Sequence, residues 1–221
     1  MAEQTVHLAV YDTLADWETG HAVAYLNKQD WQKQPGRYRV ATVGETTAPV
    51  TTMGGVRITP DLAVADVTPD GSAMLILPGA DTWDTGGNGA LAELAGRFLN
   101  AGVPVAAICG GTFGLARQGL LNDRVHTSNA AAYLTQTTAY TGAVLYRDER
   151  AVADRGLVTA GATDPVDFAR AIFAELDAYS PAVLEAWYGF YSTGEARWFG
   201  ALLAAVAADR TAAGPTAAGI P

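Results

Sequence analysis

The stretch Ala106-Ala107-Ile108-Cys109-Gly110-Gly111-Thr112-Phe113-Gly114-Leu115-Ala116 decides how this chain folds. Residues 103–108 (VPVAAI) form a short apolar run of the kind found in a buried strand. Residues 112–121 carry a helical pattern, so Cys109 falls where a strand turns sharply into a helix. Such a turn crowds the backbone and needs small neighbours, which Ala107, Gly110 and Gly111 supply. The layout is that of a nucleophile elbow, which lifts one side chain above the edge of a sheet. The helix that follows aims its free amides and positive dipole end at the sulfur, and both favour thiolate over thiol. The competing reading is a packing residue, because free cysteine is among the most buried residue types.

Outward from this turn, short apolar runs alternate with helical patterns. Strands are predicted at residues 6–11, 38–43, 73–77, 103–108, 124–127, 144–148 and 157–159, with a hairpin or strand pair at 53–66 turning on Gly54-Gly55. Helices are predicted at 17–32, 90–100 (closed by Gly102), 112–121, 130–138 and 165–176, the last with Asp164 as N-cap ahead of Pro165. This alternation predicts an α/β fold, a mostly parallel sheet sandwiched by helices, with its ligand site at the carboxyl ends of the strands. Residues 181–210 read as an aromatic-rich C-terminal helical extension on a domain spanning 1–180, and 211–221 as a flexible tail.

Composition narrows the function. The chain has 221 residues, 49% hydrophobic and 17% charged, with a net charge of −9. That balance disfavours nucleic acid and anionic membrane surfaces, which call for a basic face. One cysteine excludes an internal disulfide, and His7, His21 and His126 are too widely spaced for a metal cluster, so no metal or cofactor is expected. Neither a secretory leader nor a spanning segment is visible, and a reducing cytoplasm is the expected location.

With the elbow at 107–111, the strand end Leu75-Ile76-Leu77-Pro78-Gly79-Ala80 and the acidic turn Asp16-Trp17-Glu18 in place, the chain resembles the ThiJ/PfpI family. This is the superfamily of the parkinsonism-associated deglycase, with a flavodoxin-like, class I glutamine amidotransferase-like fold. The resemblance implies that Cys109 is the nucleophile, that Glu18 contacts its sulfur as a protonated carboxyl, and that the amides of Gly79, Ala80 and Gly110 form an oxyanion hole. It also implies a homodimer. Asp16 is the alternative acid, and a solvated place in a first helical turn is the bland reading of Glu18. Ala80 stands where the family has a second glycine.

Two absences and one displacement separate the chain from relatives. No histidine follows His126, which disfavours an amidotransferase triad, and Gly110 occupies the position where peptidase branches carry histidine. The family histidine aligns with Ser128, which leaves His126 two residues early and on the same face of a predicted strand, either reaching the site or serving the core. His7 and His21 read as structural. Trp17, Thr112, Phe113, Ser128, residues 81–83 and residues 159–161 are pocket candidates by position. The leading function is a cysteine-dependent enzyme acting on a small electrophile, of glyoxalase, deglycase or hydratase type. The alternatives are a redox sensor or stress-protective protein, a regulator-like ligand-binding module, and, disfavoured, a peptidase or amidotransferase-like hydrolase.

Overall fold

The computed structural model describes residues 3–212. Its strands are β1 (Gln4–Ala9), β2 (Tyr38–Gly44), β3 (Val50–Thr51), β4 (Arg57–Ile58), β5 (Leu62–Ala63), β6 (Ser72–Leu77), β7 (Val105–Ile108), β8 (Ala151–Asp154) and β9 (Leu157–Ala160). Seven form one sheet in the order β5-β2-β1-β6-β7-β9-β8. Every pairing in that sheet is parallel except β8 with β9. All side chains of β6 and β7 are buried, as strands covered on both faces must be.

The helices are α1 (Gly20–Asn27), α2 (Asp81–Asp84), α3 (Gly89–Asn100), α4 (Gly110–Arg117), α5 (Ala131–Leu134), α6 (Pro165–Glu175), α7 (Pro181–Thr193) and α8 (Ala196–Ala212). Helices α1 and α6 lie together on one side of the sheet, and α3 and α4 pack against β6 and β7. Helix α7 packs on α6, and α8 on α7. Trp187 of α7 is fully buried, edge-on to Phe173 of α6 and Tyr25 of α1. Trp187 thus anchors the C-terminal pair to the helical layer, while Phe199 of α8 stays exposed.

The order of strands places the chemistry. From β1 the chain crosses first to β2 and later, on the other side, to β6, so the order reverses beside β1. A crevice opens at such a switch point, beyond the carboxyl ends of the strands. The turn after β1 carries Glu18, the turn after β6 carries Gly79, and β7 ends directly in Cys109.

Several expectations are corrected. The helix expected over 17–32 begins only at Gly20, and residues 29–31 form a short 3-10 turn. Residues 144–148 and 124–127 are not strands; a single bridge joins His126 to Tyr146. Antiparallel β8 takes the edge instead. Asp164 does hold the N-cap of α6 ahead of Pro165, as expected, but its side chain makes no capping bond; it accepts from the Thr163 hydroxyl and faces Arg150 at 3.8 Å. The hairpin turns at Gly54-Gly55, with β3 and β4 as its arms. Residues 211–212 belong to α8, and 213–221 of the expected tail lie outside the described residues. No helix among the described residues is long and apolar enough to cross a membrane.

Candidate active site

Cys109 sits at the N-cap of α4 with φ 55° and ψ −124°, a conformation that L-residues rarely hold. Its neighbours enforce it. The Cys109 amide donates to Ala160 O at 3.0 Å, and its carbonyl accepts from the Thr112 amide and, at 2.6 Å, from the Thr112 hydroxyl. A Cβ on Gly111 would stand 2.2 Å from Leu77 O, so the elbow can pass β6 only with glycine there. Trp83 closes the underside: its indole nitrogen donates to Pro78 O at 2.9 Å and to the Tyr11 hydroxyl at 3.0 Å. The Tyr11 hydroxyl donates to the same Pro78 carbonyl.

Glu18 is fully buried. Its Oε2 accepts from the Gly79 amide at 2.5 Å, and its Oε1 has no hydrogen-bond partner among the described residues. A Cβ built on Gly79 would lie 2.8 Å from Glu18 Oε1 and 2.9 Å from Cys109 Sγ. Carboxyl and sulfur therefore meet over the bare α-carbon of Gly79. Burial pushes the Glu18 carboxyl up to about 7, against the pull of the Gly79 amide and of the thiol. Burial also pushes the Cys109 thiol up to about 11, and the Glu18 charge adds to that. The Asn129 and Gly110 donors pull it back only in part. The depressed thiol expected from the helix end is corrected here: desolvation and a neighbouring carboxylate outweigh the amides.

These groups line a cavity of about 130 Å³, well below the several hundred Å³ of a drug-sized pocket. Ala80, Gly110 and half-exposed Trp17 line it as well. The Gly110 amide points to the sulfur, and the Ala80 amide has no acceptor among the described residues. The Gly79 amide, expected in an oxyanion hole, is instead taken by Glu18.

Of the candidates named by position, Thr82, Trp83 and residues 159–161 lie outside the cavity lining, as do Asp16, Thr112, Ser128, Phe113 and His126. The Asp16 carboxylate accepts from the Thr52 hydroxyl and the Gly54 amide, each at 2.6 Å, and so ties down the hairpin tip. Thr112 and Ser128 bond each other at 2.6 Å behind the elbow. Phe113 stacks on Tyr133 with ring centres 5.0 Å apart. His126 is fully buried, its ring nitrogens 2.8 Å from the Tyr140 hydroxyl and from Arg124 O. Its expected place on the cavity face is corrected: without a strand at 124–127, the alternation that pointed it inward does not apply.

Five lining residues were not expected from the sequence: Ala15, Met53, Asp84, Asn129 and Tyr133. Asn129 donates from Nδ2 to Sγ at 3.3 Å, and its Oδ1 accepts from the Ala162 amide at 2.9 Å. Tyr133 donates to Asp84 Oδ1 at 2.6 Å, forming the far wall. Met53 reaches the rim from the hairpin tip. Only the adjacency of Asn129 to Ser128 offered a signal.

A model of the DJ-1/PfpI family matches residues 4–175. The chain belongs to that family. A Bacillus subtilis protein named "Uncharacterized protease YoaZ" is 37% identical over 201 residues, covering 90% of this chain and 96% of that protein. The crystal structure of a thiJ/pfpI family protein from Bacillus anthracis superposes with a TM-score of 0.86 at 36% identity, covering 93% of this chain and 99% of that one. A DJ-1 superfamily protein from Agrobacterium tumefaciens gives a TM-score of 0.79 at 31% identity, covering 87% and 100%. DJ-1/PfpI membership thus accounts for the elbow, the switch-point crevice and the parallel sheet together.

Proposed function

We propose that this chain is a cysteine-dependent enzyme that converts a small 2-oxoaldehyde to the corresponding 2-hydroxy acid. The observation that carries the reading is the meeting of Cys109 Sγ and Glu18 Oε1 over Gly79, inside a cavity sized for a few heavy atoms. With the thiol pushed up to about 11 and the carboxyl near 7, Glu18 is the base and Cys109 the proton donor at neutral pH. Sulfur attacks the aldehyde carbon while the thiol proton passes to Glu18. The carbonyl oxygen becomes an oxyanion beside the amides of Ala80 and Gly110, and Glu18 returns the proton to it, giving a hemithioacetal. Glu18 then takes the proton from that carbon, giving an enediolate, and returns it to the adjacent carbonyl carbon while the hemithioacetal hydroxyl proton passes to the second oxygen, which becomes the 2-hydroxyl. The resulting thioester is hydrolysed by water to hydroxy acid and free thiol.

The redox-sensor reading needs a standing thiolate, and burial of Cys109 opposes one. A peptidase needs room for a chain and a base such as imidazole; no histidine lines the cavity. The word protease therefore stays with the relatives that bear it. The test is lactate formation from methylglyoxal by wild type, Cys109→Ser and Glu18→Gln. Activity lost in both variants supports the reading; equal rates in wild type and Cys109→Ser would remove it.

A further inference from the structure

We infer that the Cys109 cavity selects uncharged 2-oxoaldehydes and turns away those carrying a carboxylate or phosphate. The inference rests on the proposed function and adds the substrate's charge. Three acids line the cavity, Glu18, Asp81 and Asp84, and among the described residues no lysine, arginine or histidine does. Glu18 Oε1 is buried and faces the Cys109 thiol, with no other donor among the described residues, so it calls for a proton or a donor rather than an anion.

The cations of the adjoining grooves lie outside the cavity and face other groups. Arg150, in the groove that shares Asn129, faces Asp164 at 3.8 Å and Asp167 at 3.6 Å. Lys28, in the groove that shares Trp17, pairs with Asp30 at 3.5 Å and lies over the Trp31 ring. His21 in that groove is held toward its neutral form by burial. Arg117 donates to Trp83 O behind α2. The positive features that remain are the Ala80 and Gly110 amides, and a neutral carbonyl uses them only as its oxygen becomes an anion. A substrate with a fixed negative group would set that charge against the acids without a counter-ion. Two acids near the mouth, at the effective dielectric of a protein surface, discriminate by about tenfold.

The lone cysteine allows a readout that needs no turnover. Iodoacetamide and iodoacetate have nearly the same size and differ in charge, and intact mass counts adducts at Cys109. Their rate ratio cancels the thiolate fraction. In low salt the folded chain is expected to favour iodoacetamide about tenfold more than the same chain unfolded in urea. That excess falls toward the unfolded value in roughly 0.5 M salt and in Asp81→Asn/Asp84→Asn. Equal folded and unfolded ratios overturn the inference. So does an excess that neither salt nor the double substitution moves, since that is a steric wall. A second arm compares methylglyoxal with 4,5-dioxopentanoate, a 2-oxoaldehyde that carries a carboxylate, and methylglyoxal is expected to be consumed about tenfold faster. If both are consumed alike, charge selection fails and the proposed function stands; if neither is consumed while the alkylation ratio behaves as stated, the proposed function fails and charge selection stands.

Discussion

Replacing Glu18 with glutamine should stabilise the fold, and by more at higher pH. In the unfolded chain the carboxyl ionises near 4.5, whereas in the folded chain burial holds it protonated up to about 7. Folding therefore takes up a proton between those values, and stability falls as pH rises through that window. At 1.36 kcal/mol per pKa unit the full penalty is about 3 kcal/mol. About 2 kcal/mol of it develops between pH 5.5 and pH 8, on the alkaline side of the isoelectric point near 4.7. Glutamine carries no titrating proton, keeps an oxygen for the Gly79 amide and offers its nitrogen toward the sulfur. The assay is urea unfolding of wild type and Glu18→Gln at both pH values, read by fluorescence of the buried tryptophans. The gap in unfolding free energy should widen by about 2 kcal/mol in favour of the variant. A gap that is constant or shrinks with pH refutes the claim that a buried, proton-retaining carboxyl sits beside Cys109.

Other substitutions bear on the same geometry. Gly79→Ala places a methyl 2.8 Å from Glu18 Oε1 and 2.9 Å from Sγ, so turnover should fall at least about a hundredfold while the far-ultraviolet dichroism is kept. Asn129→Ala removes a donor to the sulfur, and the thiol should titrate still higher when followed by ultraviolet absorbance. His126→Phe breaks two buried hydrogen bonds and should lower stability by about 1–3 kcal/mol without moving the pH profile of activity. For wild type, kcat/KM should rise with pH through about 7 as Glu18 becomes a base, and Glu18→Gln should erase that limb.

What was legible in the chain followed from local chemistry. Runs such as Ala73 to Leu77 can only be buried strands, and Ala107, Gly110 and Gly111 can only flank a tight turn, so the sheet, the elbow and the place of Cys109 were open to reading. Where a residue's role depends on distant backbone, local pattern was silent. The Gly79 amide was expected to serve substrate, but β1 and β6 lie side by side and bring Glu18 onto it across 61 positions. Asn129 and Tyr133 come from a stretch where the pattern predicts a helix over 130–138 and only the four-residue α5 forms, too short for periodicity to say which side chains face the cavity. Residues 144–148 carry a strand-like apolar pattern, yet β8 holds the sheet edge and leaves Val144 exposed. His126 was assigned by alternation along a strand that does not form, and its ring went to Tyr140 instead.

The raised thiol and the raised carboxyl have one origin, and together they define what the site can do. Closing the crevice over Gly79 removes water from both groups at once, so neither charge is well solvated and the pair prefers to hold protons. A single negative charge is tolerable because the amides of Gly79 and Gly110 and the Asn129 side chain face the pair. Two charges there are not: burial first, and then the Glu18 charge, keep the thiol protonated far above the carboxyl. Across the range from about 7 to about 11 the pair carries one proton and one charge. In the proposed reaction the proton passes from sulfur to carboxyl as the bond to carbon forms, and the pair's one negative charge moves to the substrate oxygen, so the total charge of the site does not change. A histidine base would bring its own positive charge into the same space. The acid instead lets a neutral carbonyl be attacked where the surrounding amides await the oxyanion.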